Sequence, residues 1–268
     1  MKIATFNING IKARLPRLLE WLEEAAPDVV CLQEIKSSDE TFPRLEFETR
    51  DWHVETHGQK GFNGVALLAR APIREVLRGL PGDPEDHQAR YIEADIGGVR
   101  VASIYAPNGN PAPGPKFDYK LAWLDRLITH ARGLLALERP VVLAGDYNII
   151  PTPQDCHDPD SWKDDALFRP ESRAKWRTLI YQGWTDAIRQ CHPVGDCFTF
   201  WDYQRGAWQR DDGIRIDHLL LSPQAADCLR AAEVDRLVRG REKASDHAPV
   251  WVRLALHDSK SGASGGKN

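Results

Sequence analysis

The sequence predicts an α/β protein in which short buried strands are mixed with amphipathic helices. The clearest strand lies in residues 140–151, P-V-V-L-A-G-D-Y-N-I-I-P. Its apolar run is short, partly β-branched and followed at once by turn residues, which favours a strand buried on both faces. The clearest helix is in residues 116–137, where apolar residues recur at spacings of three and four. We expect one domain, residues 1–256, and a disordered Ser-, Gly- and Lys-rich tail, residues 257–268.

The first half of the chain is predicted to be rich in strands. Residues 2–6 form the first strand, and residues 15–24 form a helix because leucines recur there at helical spacing, with Pro16 in its first turn. Residues 28–32 are the next apolar strand. Further short strands bounded by turn signals are predicted at residues 52–56, 64–70, 73–77, 90–96 and 100–105.

The second half mixes helices, strands and polar loops. Asp217 lies in the middle of a predicted strand, residues 214–221, where a carboxylate is costly unless it is paired. The other predicted strands are residues 197–201 and 250–256, and the predicted helices are residues 173–182 and 222–231.

Composition limits the class of protein. The chain has 42% hydrophobic and 28% charged residues, the balance of a soluble globular protein, and no apolar run long enough for a membrane span. Five cysteines without a C-x-x-C pair favour free thiols in a reducing cytosol, and we expect a cytoplasmic protein. A net charge of -4 argues against binding nucleic acid by bulk charge, but a local basic face remains compatible with it.

Polar side chains cluster at predicted strand ends. Asp146 and Asn148 are two residues apart after the central strand, so in extended backbone both side chains project the same way. An ordinary Asp-Tyr-Asn turn is the alternative at this position. Similar polar residues are spread along the chain: Asn7, Glu34, Asp217, Asp246 and His247.

If the strand ends converge on one rim, these residues form a set of oxygen ligands with one imidazole. Such a site favours a hard cation, Mg²⁺ or Mn²⁺, and the absence of grouped Cys/His spacing argues against structural zinc. A hard cation beside Asp and His points to hydrolysis of a phosphate ester, in which a carboxylate prepares water for attack.

Six short motifs, in order, resemble the exonuclease III branch of the endonuclease/exonuclease/phosphatase superfamily. They are T-F-N-I-N-G at residues 5–10, L-Q-E-I-K at 32–36, Y-A-P-N-G at 105–109, G-D-Y-N at 145–148, R-I-D-H at 215–218 and S-D-H-A-P at 245–249. The resemblance covers nearly the whole chain. It implies a four-layer α/β sandwich, with two mixed β-sheets packed face to face and flanked by helices.

The resemblance also implies an activity. Family members are Mg²⁺-dependent apurinic/apyrimidinic (AP) endonucleases of base excision repair, which cut DNA 5′ to an abasic site and leave a 3′-hydroxyl. They commonly add 3′-phosphatase, 3′-phosphodiesterase or 3′→5′ exonuclease activity. The implied substrate is double-stranded DNA with abasic sites or blocked 3′ ends, and the implied protein is a monomer in the cytoplasm, associated with the nucleoid if it is bacterial.

Residue roles follow from the motifs. Glu34 resembles the principal Mg²⁺ ligand, and Asn7 and Asp246 complete or support that site. Asp146 matches the residue that orients or deprotonates the attacking water, and Asn148 matches a donor to the phosphate. Asp146, Asn148 and His247 also count among the residues of the metal site. The remaining catalytic matches are Tyr105 at the scissile phosphate or leaving oxygen, His247 at the phosphate, and Asp217, which orients His247.

The DNA-binding residues are predicted in the same way. Phe200, Ile214 and Ile216 fall where the family lines a pocket for the flipped, base-less sugar. Relatives often carry tryptophan where this chain has Ile214, so the stacking contribution to specificity differs here. Trp201 and Trp208 are predicted to flank that pocket or to insert into the DNA helix, with core packing as the alternative for Trp201. Candidates for phosphate or site-supporting contacts are Asn108, Lys116, Lys120, Arg173 and Arg205.

Two other functions remain open from the sequence. A phosphoesterase of the same fold could act on inositol phosphates or lipid head groups, and it would need a basic headgroup pocket or membrane-anchoring loops. A non-catalytic DNA-damage binder could retain the fold, but every expected catalytic residue type is present here.

Overall fold

The computed structural model describes residues 1–256, and in that range the chain forms two six-stranded sheets. The predicted tail, residues 257–268, lies outside the described residues. The twelve strands are β1 (Lys2–Asn7), β2 (Val29–Gln33), β3 (His53–His57), β4 (Val65–Ala69), β5 (Ile73–Arg78), β6 (Tyr91–Ile96), β7 (Val99–Tyr105), β8 (Val141–Asp146), β9 (Thr185–Asp186), β10 (Asp217–Leu221), β11 (Leu229–Val234) and β12 (Val250–Leu254).

Helices connect the strands and cover the outer faces of the sheets. Two long helices, α1 and α3, each link a pair of neighbouring parallel strands, β1 to β2 and β7 to β8. The helices are α1 (Ile11–Ala25), α2 (Arg44–Glu48), α3 (Pro115–Leu135), α4 (Pro159–Trp162), α5 (Pro170–Tyr181), α6 (Ala187–Cys191), α7 (Ala207–Arg210) and α8 (Pro223–Asp227). Among the described residues, no helix is both long and apolar enough to cross a membrane.

The two sheets have matching topologies. The first has the order β11-β12-β1-β2-β4-β3 and the second β5-β6-β7-β8-β10-β9. Each has one parallel pair, β1–β2 or β7–β8, and antiparallel neighbours on either side. Both sheets are therefore mixed, and their parallel strands end at corresponding places.

Three layers of apolar side chains pack the two sheets and the helices against one another. Residues from both sheets, such as Val29 and Val142, interdigitate in the central core. Leu18 and Trp21 of α1 pack on the outer face of the first sheet, and Trp123 and Leu127 of α3 pack on that of the second. Helix, sheet, sheet and helix therefore lie in sequence, and the predicted four-layer α/β sandwich is confirmed.

Some element boundaries were wrong. Helix α1 begins at Ile11, not at residue 15, because Gly10 at φ 101° turns the chain and Ile11 is fully buried. Pro16 therefore lies beyond the first turn, on an exposed part of the helix, where solvent can satisfy the carbonyl that lacks a proline N–H partner. Helix α5 similarly begins at Pro170 instead of residue 173.

Three elements predicted in the carboxyl-terminal half of the chain also differ from the structure. Residues 197–201 form no sheet strand, since Phe200 makes only isolated bridges to Ile214 and His247. Strand β10 begins at Asp217, which places that carboxylate at a strand end instead of in the middle. Within residues 222–231 a one-turn helix, α8, gives way to the edge strand β11, because pairing with β12 stabilises an extended chain there.

A buried ionic network stabilises the second sheet. The carboxylate of Glu93 accepts hydrogen bonds from Arg100 at 2.8 Å and from Tyr91 at 2.6 Å, and it lies 3.1 Å from His130. Burial alone would raise the pKa of Glu93, but these partners lower it to about 2. Because the folded-state pKa is depressed, the stabilisation is complete above the unfolded pKa near 4.5 and is lost as pH falls towards 2.

We expect Glu93→Gln to lower the free energy of unfolding at pH 7 by on the order of 3 kcal/mol, and by about half as much at pH 3. Urea unfolding of both proteins at the two pH values measures the difference. Glu23→Gln, at an exposed position of α1, is the matched control. A Glu93→Gln deficit that does not shrink in acid would contradict the assignment of this pH dependence to Glu93.

Candidate active site

Four strand ends place polar side chains at one edge of the sandwich. In the first sheet, Asn7 ends β1 and Glu34 directly follows β2. In the second sheet, Asp146 ends β8 and pairs in register with Asp217, the first residue of β10. Because β10 runs antiparallel to β8, the start of one strand meets the end of the other. The predicted convergence of strand ends is therefore present.

Asn7 connects the two sheets at this edge. Its side-chain Nδ2 donates hydrogen bonds to Glu34 Oε1 and to Asp146 Oδ2, both at 2.9 Å. Asn7 is fully buried, so these bonds are shielded from competing water. One carboxamide thus fixes the positions of two carboxylates that come from different sheets.

His247 and Asp217 form a buried pair beside Asp146. His247 Nδ1 lies 2.8 Å from Asp217 Oδ2, and His247 Nε2 lies 3.9 Å from Asp146 Oδ2. Thr199 Oγ1 donates to the same Asp217 oxygen at 2.7 Å. Burial would lower the pKa of His247, but the charge and hydrogen bond of Asp217 raise it to about 10. The imidazole is therefore held as a cation with Nε2 directed towards Asp146.

The donor set fits a divalent cation. Carboxylate oxygens of Glu34 and Asp146 and a ring nitrogen of His247 all lie within 4.8 Å of one another. The two carboxylates are the ligands that a cation would use here, because a protonated imidazole has no free lone pair. Burial, together with the charge of Asp217, raises the pKa of Asp146 to about 7, against the opposing effect of His247. The second oxygen of Asp217, Oδ1, is buried without a hydrogen-bond partner among the described residues. A concentration of buried carboxylate oxygen of this kind is what a hard cation stabilises.

Lys36 and Asn9 support the same edge, and neither was predicted as a site residue. Lys36 Nζ lies 2.9 Å from Glu34 Oε2 and donates to Asn9 Oδ1 at 2.5 Å. Asn9 Nδ2 in turn donates to Asp246 Oδ1 at 3.0 Å. Burial opposes ionisation of Glu34, but the hydrogen bond from Asn7 and the charge of Lys36 lower its pKa. Asp246 thus contacts Asn9 and lies outside the three-residue cluster.

Tyr105 and Asn148 lie on the second-sheet side of the site. Tyr105, the last residue of β7, is in register with Asp146. Burial and the charges of Glu34 and Asp146 raise its pKa well above the usual value, so the phenol keeps its proton. Asn148 adopts a left-handed conformation at φ 49°, and its backbone N–H donates to Asp146 Oδ1 at 2.9 Å. The Asp-Tyr-Asn turn and the site are therefore the same structure, not alternatives.

A pocket of about 360 Å³ adjoins this edge. Phe200 and Ile214 line it, together with Trp162 and Arg205. The Phe200 ring packs 5.0 Å from the His247 ring, which places the pocket beside the carboxylate cluster. Ile216, predicted to line the same pocket, does not line it; its side chain is buried in one apolar cluster with Ile214.

Two predicted DNA contacts are contradicted by burial. Trp201 is fully buried, donates a hydrogen bond to Asp211 Oδ1 at 2.9 Å and packs edge-on against Trp208. It therefore belongs to the core and cannot insert into a DNA helix. Lys120 is also fully buried, so its ammonium cannot contact a DNA phosphate. Burial lowers the pKa of Lys120 to about 7, although the charges of Asp146 and Asp165 oppose the shift.

The other predicted contacts remain accessible. Three of them are exposed: Asn108, Arg205, and Lys116 at the start of α3. Arg173 is half-buried, with its guanidinium 4.4 Å from the centre of the Phe168 ring. These four side chains stay candidates for DNA contacts.

Comparison with known proteins agrees with this architecture. The model of the endonuclease/exonuclease/phosphatase family matches residues 4–247. Exodeoxyribonuclease III of Haemophilus influenzae is 37% identical over 266 residues, which cover 95% of this chain and 100% of that protein. Fold, site and sequence together define the class: the chain belongs to the endonuclease/exonuclease/phosphatase family.

Solved structures narrow the relationship. A 3′ phosphatase from Neisseria, bound to a product DNA hairpin, is 38% identical with a TM-score of 0.93, and the match covers 96% of this chain and 100% of that one. An AP endonuclease from Archaeoglobus fulgidus is 36% identical with a TM-score of 0.92 at the same coverage. Within its family, the protein is a metal-dependent nuclease of the exodeoxyribonuclease III type.

Proposed function

We propose that the protein is a Mg²⁺-dependent DNA-repair enzyme that hydrolyses the phosphodiester 5′ to abasic sites, with Mn²⁺ able to substitute. We further propose 3′-phosphatase, 3′-phosphodiesterase and 3′→5′ exonuclease activities at the same site, in a monomer acting in the cytoplasm. The observation that carries the proposal is the group of half-buried Glu34 and buried Asp146 and His247, with one atom of each within 4.8 Å of the others. A cation held by the two carboxylates would neutralise phosphate oxygens, while a carboxylate prepares water for attack.

Glu34 is assigned the principal role in holding the cation, with Asp146 beside it and with Asn7, Asn148 and Asp246 completing or supporting the site. His247 supports the site through its charge and not as a ligand, because a protonated imidazole has no free lone pair. When bound, the cation would neutralise charge on the phosphate that is attacked. Asn7 keeps the two carboxylates in place through its two hydrogen bonds. The role of Asn7 is therefore positional and does not require that it contact the substrate.

Asp146 is assigned to take a proton from the attacking water, whose oxygen forms the new bond to phosphorus. The bond that breaks joins phosphorus to the 3′-oxygen of the preceding nucleotide, and Tyr105 is assigned to give that oxygen its proton. Asn148 donates to a non-bridging phosphate oxygen, and the cationic His247, oriented by Asp217, stabilises the charge that develops there.

Substrate selection is assigned to the pocket beside His247. Its apolar part, which includes Phe200 and Ile214, suits a sugar that has lost its base. An aliphatic residue at 214 offers packing without an aromatic face. We therefore expect exclusion of an intact nucleotide by size to matter more than stacking.

An end-labelled duplex with a single tetrahydrofuran abasic analogue tests the proposal. Cleavage 5′ to the analogue in Mg²⁺, with a 3′-hydroxyl product, is the expected result. A matched strand ending in a 3′-phosphate and a panel of inositol phosphates are assayed alongside it. Activity confined to the 3′-phosphate would restrict the function to end processing, and phosphate release from inositol phosphates alone would overturn the DNA-repair proposal.

A further inference from the structure

We propose that Lys120 is a positioning residue for the hydrolysis, and that its side-chain nitrogen fixes Asn148 by joining the two loops beneath the active site. Lys120 Nζ donates to the backbone carbonyl of Asn148 at 2.5 Å and to that of Asn108 at 3.0 Å. The inference deepens the proposed function, because it rests on the role given there to Asn148.

The environment of Lys120 is unusual for a lysine. The side chain is fully buried and, in the described part of the chain, lies within ion-pair distance of no carboxylate. Burying an amine without a paired charge costs several kcal/mol, whereas a methionine or leucine would fill the same space without that cost. The two carbonyl partners therefore account for the presence of an amine at this position.

The two loops follow neighbouring parallel strands. The loop after β7 contains Ala106 and Asn108, and the loop after β8 contains Asn148. Side chains already link them: Asn148 Nδ2 donates to the Ala106 carbonyl at 2.9 Å, and Asn108 Nδ2 donates to Asn148 Oδ1 at 3.2 Å. Lys120 adds the link through the backbone, and it does so at a residue whose left-handed conformation needs support.

Close packing gives independent support. Gly109 has φ +92°, and a Cβ placed there would lie 2.6 Å from Lys120 Cδ. The loop after β7 is therefore folded directly onto the lysine side chain and leaves no space for a larger residue. Both hydrogen bonds are donated by N–H groups, so they form whether the amine is charged or neutral.

Lys120 acts in this way without touching the substrate. Lys116, four residues earlier on the same helix, is exposed and stays a candidate for phosphate contact. The chain thus offers two lysines of one helix with different expected effects. Loss of Lys120 should misplace the Asn148 donor and lower kcat, whereas loss of Lys116 should weaken binding and act on KM.

The test is a kinetic comparison of Lys120→Met and Lys116→Met on the abasic duplex, well below the unfolding temperature of each variant. We expect Lys120→Met to lower kcat roughly 30-fold with KM changed by less than about threefold, because a misplaced Asn148 donor weakens an interaction made in the transition state. Lys116→Met should raise KM and weaken the salt dependence of KM. Lys120→Gln, which keeps an N–H donor, should recover most of the lost kcat.

A double-mutant cycle separates positioning from general destabilisation. In the Asn148→Ala background, Lys120→Met should lower kcat by less than about threefold, because the group it positions is gone. Full wild-type kcat in Lys120→Met, or an equal loss with and without Asn148, would overturn the inference. If Lys120→Met fails to fold, Lys120→Gln carries the same cycle. Failure of the wild type to cut the duplex would instead refute the proposed function.

Discussion

Replacing Asp146 with asparagine is expected to lower kcat on the abasic duplex by at least roughly 1,000-fold while leaving the Kd for DNA within about threefold. Asparagine has nearly the same shape and keeps one acceptor oxygen, so it can retain one of the two hydrogen bonds that Asp146 accepts from the Asn148 backbone N–H and from Asn7. It cannot take a proton from water, and it gives the cation no negative charge. The measurements are single-turnover cleavage and DNA binding with Mg²⁺ present.

Asp227→Asn provides the matched control, because Asp227 is an exposed aspartate at the end of α8, outside the site. It should cleave like the wild type. Retained turnover in Asp146→Asn, with an unchanged fold, would remove Asp146 from the centre of the mechanism.

The second large effect is expected at the His247–Asp217 pair. His247→Ala should lower kcat roughly 1,000-fold, because the buried, protonated imidazole beside Asp146 is lost. Asp217→Asn should lower it roughly 100-fold, since the 2.8 Å contact that orients the imidazole and raises its pKa no longer has a charged acceptor. Single-turnover rates of both variants and of the double variant measure the coupling.

The double-mutant cycle is informative because Asp217 is assigned only the orientation of His247. In the His247→Ala background, Asp217→Asn should cost less than about threefold, because no imidazole remains to be oriented. Fully additive losses would mean that Asp217 acts on its own, for example through its unpartnered Oδ1, and would contradict the orienting role.

Much of the fold was predictable because its strands are buried on both faces. Residues 141–144 and 65–69 are continuous apolar runs, and a strand was predicted at each; the first continues two residues further, through Gly145 to Asp146. The edge strand Leu229–Val234 was missed, since only one of its six residues is buried and its extended form depends on pairing with β12. That pairing is a tertiary effect that local periodicity does not contain.

The candidate site could be predicted as a list of residues but not as a geometry. Polar residues at strand ends identified Asn7, Glu34 and Asp146, and the fold brings all three within hydrogen-bonding reach. The same sequence did not distinguish Lys120 from Lys116, because helical spacing alone does not show which lysine faces the loops beneath the site. Thr199, which donates to Asp217, gave no signal because a threonine in an apolar run is typical of any strand.

A Mg²⁺ titration of abasic-duplex cleavage, for the wild type and Glu34→Gln, tests the central claim most directly. The claim is that a cation held by Glu34 and Asp146, beside His247, supports phosphodiester hydrolysis. Cleavage should disappear in EDTA and return with Mg²⁺, and Glu34→Gln should need at least about tenfold more Mg²⁺ for half-maximal rate, because one anionic ligand is lost. Cleavage that survives EDTA, or the same Mg²⁺ midpoint for both proteins, would contradict it.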